Sequence, residues 1–181
     1  MAPTADIHAP FRNLVQRIRD ETKKRVPDVA SDGPGTDARV LVILSDPGKL
    51  GALKTNELSP LRNNDQTARN QRKLFAEAGL DPKICVFWNA VPWDLDGRKA
   101  GSADKARGAA YLRDMLQMFD RPPVIVACGK DADEACGSIG ATNAITVCHP
   151  SMQGLNRYPT NRPKHVRGLR LAAELSSGGT K

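Results

Sequence analysis

Val40-Leu41-Val42-Ile43-Leu44-Ser45-Asp46-Pro47-Gly48 sets an unbroken apolar run against an abrupt polar stop. A half-exposed strand would alternate polar and apolar residues, so a run like Val40 to Leu44 reads as a strand buried on both faces. Three more follow: Ile84-Cys85-Val86-Phe87-Trp88, Val124-Ile125-Val126-Ala127-Cys128 and Ala144-Ile145-Thr146-Val147-Cys148. The segments between them carry helical spacing. Gln66 to Ala78 has Asp65 as N-cap and Gly79 just past its end. Ala103 to Phe119 buries Ala109, Leu112, Met115, Leu116 and Phe119; a short helix spans Asp131 to Cys136, and a last one runs from Pro163 to Leu175. Upstream, Phe11, Leu14, Val15 and Ile18 mark an amphipathic helix from Phe11 to Arg25, and the Gly, Pro, Ser and Asp of Val26 to Asp37 mark a loop. Strands alternating with helices predict an α/β protein, a three-layer α/β/α sandwich around a central four-stranded parallel sheet.

The 181 residues fit one domain, with residues 1–10 and 176–181 expected to be flexible. At 26% charged and 40% hydrophobic, with no apolar run near the ~20 residues of a membrane span, the chain has the composition of a soluble protein and no membrane partner is expected. Met1 to Pro10 lacks the basic start and apolar stretch of a secretory signal, and no two cysteines form a C-x-x-C pair; the reading is a cytoplasmic monomer with small buried thiols. The net charge of +7 favours a polyanionic partner, although a solvated basic surface explains it equally well.

In open α/β sheets, ligands bind beyond the carboxyl ends of the strands. There the first strand delivers Ser45-Asp46-Pro47-Gly48, the second Asn89-Ala90-Val91-Pro92-Trp93, and the fourth His149-Pro150-Ser151-Met152-Gln153-Gly154. The third ends in Gly129-Lys130, which has no evident task. Singly, Asp46 is a turn residue, Asn89 a loop-holding amide and His149 a structural histidine. Together, an acid, an amide and an imidazole arriving at one sheet edge can converge on one small ligand.

These residues resemble the uracil-DNA glycosylase superfamily over roughly Val40 to Arg157. Ser45-Asp46-Pro47-Gly48 is similar to its first motif and His149-Pro150-Ser151 to its His-Pro-Ser loop, while Asn89 sits where several branches keep a uracil-reading Asn. The resemblance implies a DNA glycosylase of base excision repair, acting on DNA that contains uracil or a related deaminated base. Asp46 and His149 would be catalytic, the first orienting or activating water and opposing positive charge on the sugar, the second donating to uracil O2. Asn89 would read N3 and O4, with Ser45, Pro47 and Gly48 beside it. DNA contacts would fall to Ser151, Arg157 and a wedge from Met152, Gln153 or Leu155. The basic residues Arg157, Arg162, Lys164, His165, Arg167 and Arg170 resemble a backbone-tracking patch, or an ordinary exposed helix face.

The chain also departs from the pattern. Lys49 to Arg69 has no aromatic residue to stack on an extruded base, which nominates Trp93, with Trp88 as core and Leu58 or Leu61 as apolar substitutes. The cysteine spacing of the iron-sulfur branch is missing, so no cofactor and no metal are expected. Two other readings stay open: a module of the same fold that binds uracil or a lesion without releasing it, and a flavodoxin-like regulatory or nucleotide-binding domain sharing only the layered sheet. Against the latter, no Gly-rich phosphate loop follows the first strand.

Overall fold

The computed structural model describes residues 6–178. In chain order the elements are α1 (Ala9–Thr22), β1 (Asp28–Val29), a 3-10 turn (Gly35–Asp37), β2 (Val40–Leu44), α2 (Ala52–Thr55), β3 (Glu57–Leu58), α3 (Gln66–Ala78), a second 3-10 turn (Pro82–Ile84), β4 (Cys85–Asn89), α4 (Ser102–Leu116), β5 (Val124–Cys128), α5 (Lys130–Ser138), β6 (Ile145–Val147), α6 (Met152–Asn156) and α7 (Asn161–Ser177). Four parallel strands form the main sheet in the order β4-β2-β5-β6. The fold expected from the apolar runs is the one present.

Helices α3 and α7 pack together on one face, and α1, α4 and α5 on the other. The crossovers leaving β2 and β5 therefore lie on opposite faces, and a crevice opens between the carboxyl ends of those neighbouring strands. The core is continuous through the sheet: Val40 to Ile43, Trp88, Val126 and Ala127 are almost fully buried, against Phe11, Leu14 and Ile18 of α1 and Leu74 and Leu169 of α3 and α7.

Element ends follow local chemistry. The Asp65 carboxylate accepts from Ala68 N at 3.1 Å to start α3, and Gly79 ends it with a positive φ of 73°. Lys23, also left-handed, stops α1 at Thr22, short of Arg25. The segment read as a loop holds β1, whose two residues pair in parallel with β3 in a small second sheet. Of the ends expected to be flexible, residues 1–5 and 179–181 lie outside the described residues, whereas Ala9 and Pro10 open α1 and Ser176 and Ser177 close α7.

Candidate active site

A cavity of about 120 Å³ lies at the carboxyl edge, lined by Leu44, Asp46, Pro47, Gly48, Asn89 and His149 from the sheet ends. Ala52, Leu58, Ser59 and Pro60, residues 63, 65, 67, 68 and 71, and Phe87 and Trp88 complete its wall. An apolar cavity of about 150 Å³ accepts benzene, so the space suits one six-membered ring. Asp46, Asn89 and His149, far apart in sequence, thus share one wall.

Parallel pairing places these residues. Leu44 pairs with Asn89 and Val42 with Phe87, so Leu44, Asn89 and Phe87 occupy one face of the sheet, the α3 face, and Trp88 the other. Ala90 N donates to Leu44 O at 2.8 Å and Val91 N to Ser45 O at 2.9 Å, lacing the loop after β2 to the segment after β4. Asn89 is only 3% exposed. Among the described residues, three buried side-chain atoms lack a hydrogen-bond partner, Gln71 Nε2, Trp88 Nε1 and Asn89 Nδ2; Gln71 and Asn89 line this cavity from its α3 side, whereas the Trp88 indole lies on the opposite face of the sheet.

Asp46 is exposed at the rim, yet its carboxyl is held above the usual range, first by the protein packed around it and then by the negative charges of Asp131 and Asp94. Its exposure limits the size of that effect. Asp131, the second residue of α5, is itself paired with Lys105 at 2.6 Å. His149 is pulled the other way: burial lowers its pKa below 6.5, with Asp131 opposing, so the ring is neutral at pH 7. Ser151 N donates to His149 Nδ1 at 3.2 Å, which leaves the proton of the neutral ring on Nε2 as a donor.

The loop carrying His149 is held by close packing. A Cβ at Gly154 would strike the His149 carbonyl oxygen, and one at Gly129 would sit 3.2 Å from His149 Cβ, at a φ of 92° that only glycine adopts easily. Asn70 Nδ2 donates to Pro150 O at 2.8 Å and Gln66 Nε2 to Asn70 Oδ1 at 2.9 Å, tying the start of α3 to the same loop. No sequence signal singled out Asn70 or Gln71; only the phase of α3, once its ends are fixed, turns both inward.

The remaining nominees fall into two groups. Pro47 and Gly48 line the cavity, while Ser45 is not part of its lining and contributes its carbonyl to the backbone lacing. Ser151 Oγ caps α6 by accepting from Gly154 N at 3.1 Å. Met152, Gln153 and Arg157 stand exposed beyond it, the Arg157 guanidinium 5.6 Å above the Tyr158 ring. Leu155, by contrast, is core.

Trp93 is not brought to the cavity. Its indole donates to Asp104 at 3.3 Å and meets Tyr111 edge-on at 6.2 Å, so the ring is engaged with α4. The aromatic ring on the α3 side of the cavity wall is Phe87, backed by Phe75 at 5.9 Å, with Leu58 nearby; Leu61 is outside and half-exposed. His165 is also no part of a basic surface: it is 1% exposed, with Nδ1 3.6 Å from Cys148 Sγ. Arg162 is paired with Glu77, while Lys164, Arg167 and Arg170 are exposed along α7.

Fold and site together define an α/β protein with a ring-sized cavity at its switch point, flanked by an acid, an unsatisfied amide and a neutral imidazole that donates through Nε2. The family model for the uracil DNA glycosylase superfamily matches residues 30–171, most of the chain, and this protein belongs to that superfamily. Among individually curated proteins, none matches the chain at a significant level.

Proposed function

We propose that this protein hydrolyses the N-glycosidic bond of uracil in DNA and so opens base excision repair. The observation that carries the reading is Asn89: a buried amide with a free Nδ2, at a ring-sized cavity flanked by Asp46 and His149. A buried amide without an acceptor is costly in the empty protein, and uracil O4 supplies the acceptor while N3–H meets the amide oxygen. Cytosine offers the inverse pattern and leaves both groups opposed.

In the reaction, water adds to C1′ as the C1′–N1 bond breaks and its electron pair leaves with uracil. Asp46 takes the water's proton and opposes positive charge on the sugar; His149 Nε2–H stabilises negative charge at O2, and the released base takes up a proton at nitrogen. Leu44, Leu58, Pro60 and Phe87 take the faces of the extruded ring, and Met152 fills the gap left in the duplex.

The test is base release. With no metal added, single- and double-stranded oligonucleotides carrying uracil yield free uracil and an alkali-labile site. Strands that stay intact under conditions where a known glycosylase acts overturn the hydrolase reading. Tight binding without release would instead mark a recognition module.

A further inference from the structure

We infer that Gln71 of α3 determines base specificity, its free Nε2 donating to the 4-oxo group of the extruded base beside Asn89. The inference rests on the base-excision reading of the cavity and adds a residue that neither motif contains.

Gln71 is 5% exposed and lines the cavity, and its Nε2 has no partner among the described residues. Its neighbour Asn70 is equally buried, yet bonds Pro150 and Gln66. Asn63, another buried amide of the same wall, is satisfied by Thr55 and the Glu57 carbonyl. An amide that the fold leaves unpaired beside such neighbours is one whose acceptor comes with the ligand.

Register puts Gln71 beside Asn89. Phe75 of α3 stacks on Phe87 of β4, with ring centroids 5.9 Å apart and planes 24° apart. Crossover helices run antiparallel to the strands they connect. One turn back along α3, a rise of about 6 Å, reaches Gln71, and two residues forward along β4, a rise of about 6.6 Å, reaches Asn89 on the same face. The two orphaned amides therefore meet at the same depth of the cavity. A carbonyl oxygen has two lone pairs, and two amide donors satisfy both. An amino group at that position, as in cytosine, would face donors only.

The experiment crosses a residue with a substrate group. Gln71→Met keeps length without polarity, and duplexes carry either uracil or pyrimidin-2-one, which lacks the 4-oxo oxygen and the N3 proton; taking the ratio of variant to unsubstituted protein on each base cancels the loss at N3. On uracil the variant should lose about tenfold in kcat/KM; on pyrimidin-2-one it should lose almost nothing, and its Tm should not fall, since an unpaired amide is gone. An equal loss on both bases, or a loss accompanied by a lowered Tm, overturns the assignment and makes Gln71 a packing residue. Equilibrium binding of the same duplexes, measured with Asp46→Asn and Asp46→Asn/Gln71→Met, separates this outcome from failure of the hydrolase reading. If the unsubstituted protein releases no base, yet Gln71→Met weakens binding of uracil and spares pyrimidin-2-one, recognition by Gln71 stands and hydrolysis falls. Equal weakening, or none, sinks the inference.

Discussion

A carboxylate that activates water must be ionised, and Asp46 sits where ionisation is disfavoured: packed protein and the charges of Asp131 and Asp94 all raise its pKa. The acid limb of kcat/KM should therefore lie above pH 3.8, the ordinary Asp value. Asp46→Asn should lower kcat by about 10²-fold or more while leaving DNA affinity nearly unchanged. Equal loss of both would make Asp46 structural. Because the folded protein binds the Asp46 proton more tightly than the unfolded chain, this group costs stability once pH rises through that window; the Asn variant should melt slightly higher at pH 7. At this scale the sequence was readable wherever a residue ends a strand inside a motif, as Asp46 and His149 do. Asn89 was readable from its place after an apolar run. Gln71 was not, because a polar residue between Asn70 and Arg72 looks exposed until Leu74, Phe75 and Ala78 fix the helix phase. Trp93 was misplaced for a related reason: closeness in sequence to Asn89 says nothing about where the chain turns after the strand, and it turns towards α4.

Helix α3 does more than cover the sheet, since it carries the Gln71 amide and, one residue earlier, the tie to the His149 loop. Asn70 Nδ2 is the donor to Pro150 O at 2.8 Å, and the glycines at 129 and 154 leave that loop little room to settle elsewhere. Losing the bond strands a buried carbonyl oxygen, at a cost of about 1–3 kcal/mol, and frees the loop that aims Nε2. Asn70→Leu should thus lower stability by that order and reduce kcat more than it raises KM. Asn70→Asp, which sets a carboxylate oxygen against a carbonyl oxygen, should be worse on both counts. A variant that is destabilised but turns over normally would confine Asn70 to a structural role. The long elements were legible because three or more turns of periodicity, or an unbroken buried run, leave little ambiguity. α2, α6 and the β1–β3 pair were not, since two to five residues are too few for a period and tertiary contacts alone decide them.

Across the whole molecule, the layered sheet was legible because both faces of β2, β4 and β5 had to be apolar, and alternation with helices then leaves few topologies. The strand order β4-β2-β5-β6 was not written in those runs; it follows from which crossover packs on which face. Nor did the sequence mark His165, grouped there with the basic residues of α7, as the core group that links folding to pH. Burial above all pushes its pKa down to about 4, with nearby His149 and Arg162 acting in the same direction and the backbone of Cys148 opposing. The unfolded chain holds that proton with a pKa near 6.5, so stability is whole above that value and is lost as pH falls towards 4. With 1.36 kcal/mol per unit, His165 alone removes about 2 kcal/mol at pH 5. His149 adds loss of the same sign over its own window below 6.5, whereas Asp46, with its raised pKa, regains a little at the acid end. Urea unfolding at pH 7 and pH 5 should show the wild-type protein weakened by this order or slightly more. His165→Gln, lower in absolute stability for its poorer packing, should lose clearly less between the two pH values. A variant whose loss matches the wild type would place the acid sensitivity in other groups and leave His165 as neutral packing beneath the Cys148 thiol.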